Sequence, residues 1–166
     1  PNVTVGIYNI VCTGILSTIP ADEDKAEKPD KNAVYVSDAE VISDANGAWS
    51  GGSINKTYKS EGKSSITTKF TYLSKPQEVF FNYLLDGTAD ISDMKQLKFD
   101  FYVDLPQFIS ADGNKAEVLL ANSRRAENDY YKWEIDFSDM KAGWNSVTLD
   151  LSSAQKVGNP NLKEFK

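Results

Sequence analysis

Apolar and polar residues alternate with a period of two along most of this chain. Lys98-Phe-Asp-Phe-Tyr-Val-Asp104 shows it plainly: Phe99, Phe101 and Val103 take one side, while Lys98, Asp100, Tyr102 and Asp104 take the other. Successive side chains of a strand point to opposite faces, so such a segment buries one face and wets the other. The same count sets Tyr131, Trp133, Ile135 and Phe137 against Tyr130, Lys132, Glu134 and Asp136. Ile66, Phe70 and Tyr72 form another inward set, as do Val147, Leu149 and Leu151. Strands are predicted near residues 3–13, 33–42, 64–72, 79–84, 96–104, 116–121, 130–137 and 146–151. Turn-forming residues separate them: Asp44-Ala-Asn-Gly47, Gly51-Gly52, Glu61-Gly62, Asp86-Gly87, Ala111-Asp-Gly-Asn114 and Ala142-Gly143. No segment of helical length carries a 3.6-residue period; short helical turns are predicted at 91–95 and 152–157. The expected fold is all-β: a two-sheet antiparallel β-sandwich whose inward sets fill a layer about 10 Å thick.

Residues 15–32 break the pattern. They are polar, densely charged and carry Pro20 and Pro29, which reads as a linker or long exposed loop. The organisation expected is a strand within 1–14, a linker at 15–32 and a β-sandwich domain over 33–166. The strand at the front is thereby set apart from the rest of the pattern.

At 166 residues the chain is long enough for one full core. Its net charge of -6 repels phosphate backbones and anionic lipid, so neither nucleic acid nor membrane is an expected partner. No apolar run approaches the ~20 residues of a membrane-spanning helix. Residues 7–19 are the most apolar stretch, but polar interruptions and the lack of a basic leader argue against a signal peptide. Cys12 is the single cysteine and reads as a small buried hydrophobe. There is no histidine, which removes the commonest general base and any imidazole metal ligand.

Four segments in order carry a resemblance. They are Val36-Ser-Asp-Ala-Glu40 followed by Trp49, then Tyr58-Lys-Ser-Glu-Gly-Lys-Ser-Ser-Ile66, then residues 97–103, then the strands around Trp144-Asn-Ser-Val147. Together the pattern resembles bacterial carbohydrate-binding modules of the galactose-binding-like jelly-roll fold, in particular family-eleven-like β-glucan-binding modules, over about residues 33–162. Those modules end on a strand that is missing here, while Val3-Thr-Val-Gly-Ile-Tyr-Asn-Ile-Val11 looks like its counterpart at the front. Three arrangements fit: a circularly permuted order, a strand completing a neighbouring repeat, or a chain with a missing segment.

The resemblance implies a structural calcium held by Asp38, Glu40 and Glu61 with loop carbonyls, since calcium takes six to eight oxygens. Tyr8 stands where the family has a further Asp. The plain alternative is three solvated carboxylates.

A sugar-binding face pairs aromatic rings with hydrogen-bonding side chains. The outward set Asp100, Tyr102, Asp104, Tyr130, Lys132 and Glu134 has that composition, with Arg124 and Arg125 at its edge and Trp49 as either a loop platform or a cover over the end of the sandwich. Its alternative is an ordinary polar sheet face with cross-strand ion pairs. Trp133 is expected in the core, and Trp144 as a packing cap or else an exposed platform. No catalytic constellation stands out.

The expected function is therefore a non-catalytic carbohydrate-binding module of a secreted bacterial polysaccharide-degrading protein. It would be extracellular, would take polysaccharide as partner, and would be attached to catalytic or scaffold modules. The competing expectation is a structural or adhesive repeat of a cell-surface or scaffold protein without a sugar site.

Overall fold

The computed structural model describes residues 2–13, 33–37, 39–60, 62–71, 79–122 and 128–165. The predicted linker at 15–32 lies outside them. Among the described residues the chain is mostly β-strand with little helix, arranged in small antiparallel sheets.

The large sheet is built on β1 (Asn2–Thr13). One side of β1 pairs antiparallel with β7 (Gln96–Val103), through Val5↔Val103 to Thr13↔Gln96, with an irregularity between Tyr8 and Val11. Its other side pairs first with β5 (Ser65–Thr71), from Asn2↔Thr71 to Ile7↔Ile66, and then with β2 (Ala33–Ser37), from Ile10↔Ser37 to Thr13↔Ala33. The strand set apart in the sequence is thus the middle of the sheet within this chain. Outside it, β4 (Ser53–Asn55) pairs with β5, and β10 (Gly143–Asp150) pairs with β7 over its whole length. A second sheet holds β8 (Lys115–Ala121), β9 (Tyr130–Asp136) and β11 (Gln155–Val157), with β9 in the middle. A third pairs β3 (Gly47–Ser50) with β6 (Asn82–Leu85).

Several elements differ from the predicted ones, each for a local reason. The strand expected over 33–42 ends at Ser37, because Ala39 adopts a left-handed φ of 55°. The Ser37 hydroxyl accepts from Ala39 N at 3.1 Å and from Trp49 Nε1 at 2.9 Å, which fixes that turn against β3. The Asn46-Gly47 turn signal hides β3. A Cβ on Gly47 would lie 2.2 Å from the Leu84 carbonyl oxygen, so glycine is what lets the two strands approach. Residues 155–157, predicted as part of a helical turn, pair with β9 after a single 3-10 turn at Leu151–Ser153. A short helix, α1 (Pro106–Ser110), follows β7; Pro106 sets its first turn and Ile109 is buried under it.

The main core lies where the sheets meet. Leu97 and Phe99 of β7, Leu120 of β8, Trp133 of β9 and Leu85 of β6 share one buried cluster with Val36, Ala89, Ile91 and Met94. Val147 and Leu149 pack against it from β10. The predicted alternation is thus seen on β7, where Leu97, Phe99 and Val103 are buried and Lys98, Asp100 and Tyr102 are less so. Trp133 is 5% exposed and its Nε1 donates to the Asp150 carbonyl at 2.9 Å, tying the middle of the second sheet to the end of β10. The C-terminal segment is held by the Asn122 side chain, which donates to the Asn161 and Glu164 carbonyls and accepts from Asn161 N.

Trp133 separates packing from hydrogen bonding. Trp133→Ala should cost about 3–5 kcal/mol in denaturant unfolding, the usual loss for a buried large aromatic. Trp133→Phe keeps most of the ring and removes the bond to the Asp150 carbonyl, which still accepts from the Ser153 hydroxyl at 2.8 Å, so it should cost only about 0.5–1.5 kcal/mol.

Candidate functional site

Tyr102 is on the outward face of β7. Its register partners are Trp144 on β10 and Gly6 on β1. Residues directly opposite in a ladder share a face, so Trp144 lies beside Tyr102, and their ring centroids are 5.4 Å apart at 66°. Gly6 has no side chain, and a third ring comes close on that side. Tyr58, from the loop between β4 and β5, sits 4.8 Å from Tyr102 at 45°. Lys69 of β5 continues the row, its ammonium 5.9 Å from the centre of the Tyr58 ring, within cation–π range. Three half-buried rings and one exposed lysine thereby form a line across β10, β7 and β5.

The loop bearing Tyr58 is anchored on both sides. Asn55 Oδ1 accepts from Thr57 N at 2.8 Å and from Tyr58 N at 3.1 Å, an Asx turn that starts the loop. The buried Ser65 hydroxyl donates to the Tyr58 carbonyl, and the Ser60 hydroxyl donates to Asp100 Oδ2 at 3.0 Å. Ser146 of β10 donates to the other oxygen of Asp100 at 2.8 Å. Asp100 is thus a bracket that joins the loop to β7 and β10. Burial pushes the Tyr102 phenol above its ordinary range, with smaller contributions from Tyr58 and Asp104. Beyond Lys69 the face dips into an open depression of about 500 Å³ lined by Gly51, Gly52, Ser53, Asn55 and Thr67. Gly51 is required at its rim: its φ is 92°, and a Cβ there would lie 2.0 Å from the Phe80 carbonyl oxygen.

The residues predicted for a sugar groove do not come together. Asp100, Tyr102 and Asp104 belong to the large sheet, whereas Tyr130, Lys132 and Glu134 belong to β9 of the second. The inward residues of both strands meet in the core between them, so their outward faces point away from each other. On β9 the polar face is an ion-pair ladder. Glu117 and Glu134 are directly opposite, a repulsive pairing. Lys132 contacts both, with 3.2 Å to Glu134, and Lys115 lies 3.0 Å from Glu134. Bonds to Glu117 and then Glu134 hold the Lys132 ammonium above its ordinary pKa, and bonds to Lys115 and then Lys132 hold Glu134 below its own.

Trp49 is 6% exposed and packs at 5.2 Å from Tyr83, so it is core and not a loop platform. Arg124 and Arg125 lie outside the described residues, as do Asp38 and Glu61 of the expected calcium site. Glu40 is described, and its carboxylate accepts from Lys63 N at 2.8 Å. Among the described residues no group of three or more metal-ligating side chains is gathered.

Sequence reasoning left Trp144 between packing cap and exposed platform, and it missed Tyr58 and Lys69. The alternation that sets Val147 and Leu149 inward puts Trp144 outward once the strand is extended back to Gly143. Tyr58 lies in a loop, where no periodicity assigns a face.

Residues of this chain are 29% identical over 129 positions to the chicken protein named DNA cross-link repair 1A protein. The match takes in 78% of this chain but 12% of the repair protein, so the chain spans about an eighth of that relative's length. No family model and no solved structure matches the chain. The similarity overturns the resemblance to bacterial β-glucan-binding modules and what was hung on it. The secreted, extracellular, polysaccharide-binding role is withdrawn, as is the alternative of an adhesive surface repeat. The expectations of a non-catalytic protein and of no nucleic-acid partner are withdrawn with them, because the relative is named for DNA repair.

The tyrosine row makes a spectroscopic prediction. In ultraviolet titration Tyr102 should ionise later than an ordinary phenol. Tyr58→Ala uncovers it and removes a neighbouring phenol, so its titration should move earlier. Because its folded pKa is raised, the linked stability is fully present below the ordinary phenol pKa and falls away as pH rises through the folded value.

Proposed function

We propose that this chain is one β-domain of a DNA-repair protein and that it holds single-stranded DNA on the face of Tyr58, Tyr102 and Trp144. The observation that carries this reading is the row of three rings ending in Lys69. Every base has an apolar π-face, and stacking of one base on an aromatic side chain is worth about 1–3 kcal/mol whatever the sequence. A lysine at the end of the row suits a phosphate, which positions the strand without reading it. The similarity to a protein named for DNA cross-link repair supports a nucleic-acid ligand for such a face.

The charge balance shapes the mode of binding. The chain carries -6 overall, so a duplex, with its dense phosphates and shielded bases, is a poor fit. Stacking must dominate, with Lys69 at the end of the row and Lys98 on the outward side of β7 to meet phosphates. We also infer that the sheets form a single two-layered β-sandwich of the jelly-roll type. Residues 1–14 would supply its permuted strand, 15–32 would be the connection, and 33–166 the remainder. The core shared by strands of all three sheets supports this.

Fluorescence anisotropy with a labelled oligothymidine at low salt tests the proposal. Tyr102→Ala and Trp144→Ala should each weaken binding about 5- to 150-fold, the equivalent of one lost stacking contact. Lys132→Ala, on the opposite sheet, should change nothing. With about two phosphates neutralised, the logarithm of affinity should fall with that of salt at a slope of about -1.4. Absence of binding at low salt, or an equal loss from Lys132→Ala, would overturn the assignment.

A further inference from the structure

A groove of about 320 Å³ opens between β10 and β9. Residues 145–149 of β10 and 134–136 of β9 line it consecutively. Alternate residues of a strand face opposite ways, so an unbroken run of lining residues means that the strand edges themselves border the groove. The sheet order agrees. Among the described residues β10 pairs only with β7, and β11 pairs with β9 only along residues 130–132, leaving 134–136 uncovered on that side. Natural sheets defend such edges with lysine, proline or a bulge. The eight residues of β10, Gly-Trp-Asn-Ser-Val-Thr-Leu-Asp, contain neither lysine nor proline, and they pair with β7 in unbroken register.

We propose that this groove receives an extended peptide segment of a partner protein, which adds to the edge of β10 as a further strand. Strand addition draws affinity from main-chain hydrogen bonds and specificity from pockets for alternate side chains. The lining sets what those side chains are. Ile135, Val147, Leu149 and Met140 are partly buried apolar groups that suit aliphatic residues. Asp136 and Asp139 put negative charge on the rim, and the whole chain is acidic, so the intervening residues are basic. The partner segment is therefore an alternating basic and aliphatic strand. Residues 15–32 of this chain are a poor occupant. They carry two prolines, and their acidic residues outnumber their lysines, which an acidic rim repels. Asn145 marks one end of the slot: its side chain donates to the Lys141 and Gly143 carbonyls and accepts from Lys141 N, closing the turn into β10.

The test uses the full chain and a capped eight-residue peptide of alternating Lys and Val, with a Glu-Val peptide and two alternately N-methylated Lys-Val peptides as controls. Hydrogen exchange followed by mass spectrometry should show new protection of residues 145–149 with Lys-Val and none with Glu-Val. N-methylation on the edge that meets β10 should abolish it, since the methyl removes the ladder donors; methylation on the other edge should not. Asp139→Lys, an exposed change, should weaken binding about two- to fivefold, as for a surface charge pair. The idea is overturned if neither methylated peptide differs from the parent, which would mean charge attraction alone. Protection in the free chain of those 145–149 amides that do not bond to β7 would also overturn it: a dimer in light scattering would assign the edge to a second copy, and a monomer to this chain's own residues.

Discussion

The large sheet depends on the two-sided pairing of one strand. β1 bonds to β7 along one edge and to β5 and β2 along the other. Without it, β4 and β5 would have no ladder connecting them to β7 and β10. The pairing is also distant along the chain, since Gly6 lies opposite Tyr102, more than half the sequence away. Closing such a span costs chain entropy before any hydrogen bond compensates, which makes this step a slow one in folding. The apolar surface that rewards it is on the reverse side of the same strands, where Leu97, Phe99, Val147 and Leu149 meet Trp133 and Leu120 of the second sheet.

The aromatic row is a consequence of that ladder. Tyr102 and Trp144 are brought together because β10 pairs with β7 without a bulge. Tyr58 reaches them because Gly6 is the β1 residue beside Tyr102, and because Asp100 and Ser65 secure its loop. A shift of β10 by one residue would turn Trp144 into the core side and expose Val147. The site thus rests on register, and register rests on the buried face beneath it.

The two outward faces have different chemistry although their sequences look alike. Asp100-Phe-Tyr-Val-Asp104 and Tyr130-Tyr-Lys-Trp-Glu134 both mix aromatic and charged residues. On β9 the charges find each other across the ladder, and Lys132 settles a repulsion between Glu117 and Glu134. On β7 the nearest neighbours are hydroxyls and rings, and the carboxylate of Asp100 becomes a structural bracket. Partners across the strand decide which face is a neutral ion-pair lattice and which is a stacking surface.

Much of the strand content was legible in the sequence because side-chain alternation is a local property: the buried Phe99 and Val103, the half-buried Phe101 between them and the buried Trp133 follow from counting by twos. The lack of histidine and the net charge of -6 were also the sequence's own, and they bound the chemistry available. Tertiary structure alone decided which strands became neighbours. Periodicity carries no information about partners, so Tyr102 and Tyr130 read as one groove yet fell on sheets facing opposite ways. Trp49 among its glycines read as either a loop platform or an end cover, and only the tertiary structure decided: it is buried, with Nε1 bonded to the Ser37 hydroxyl and its ring against Tyr83. Tyr58 and the open edge of β10 had no signature in one dimension, because a loop's resting place and a strand's missing neighbour exist only after the sheet has formed.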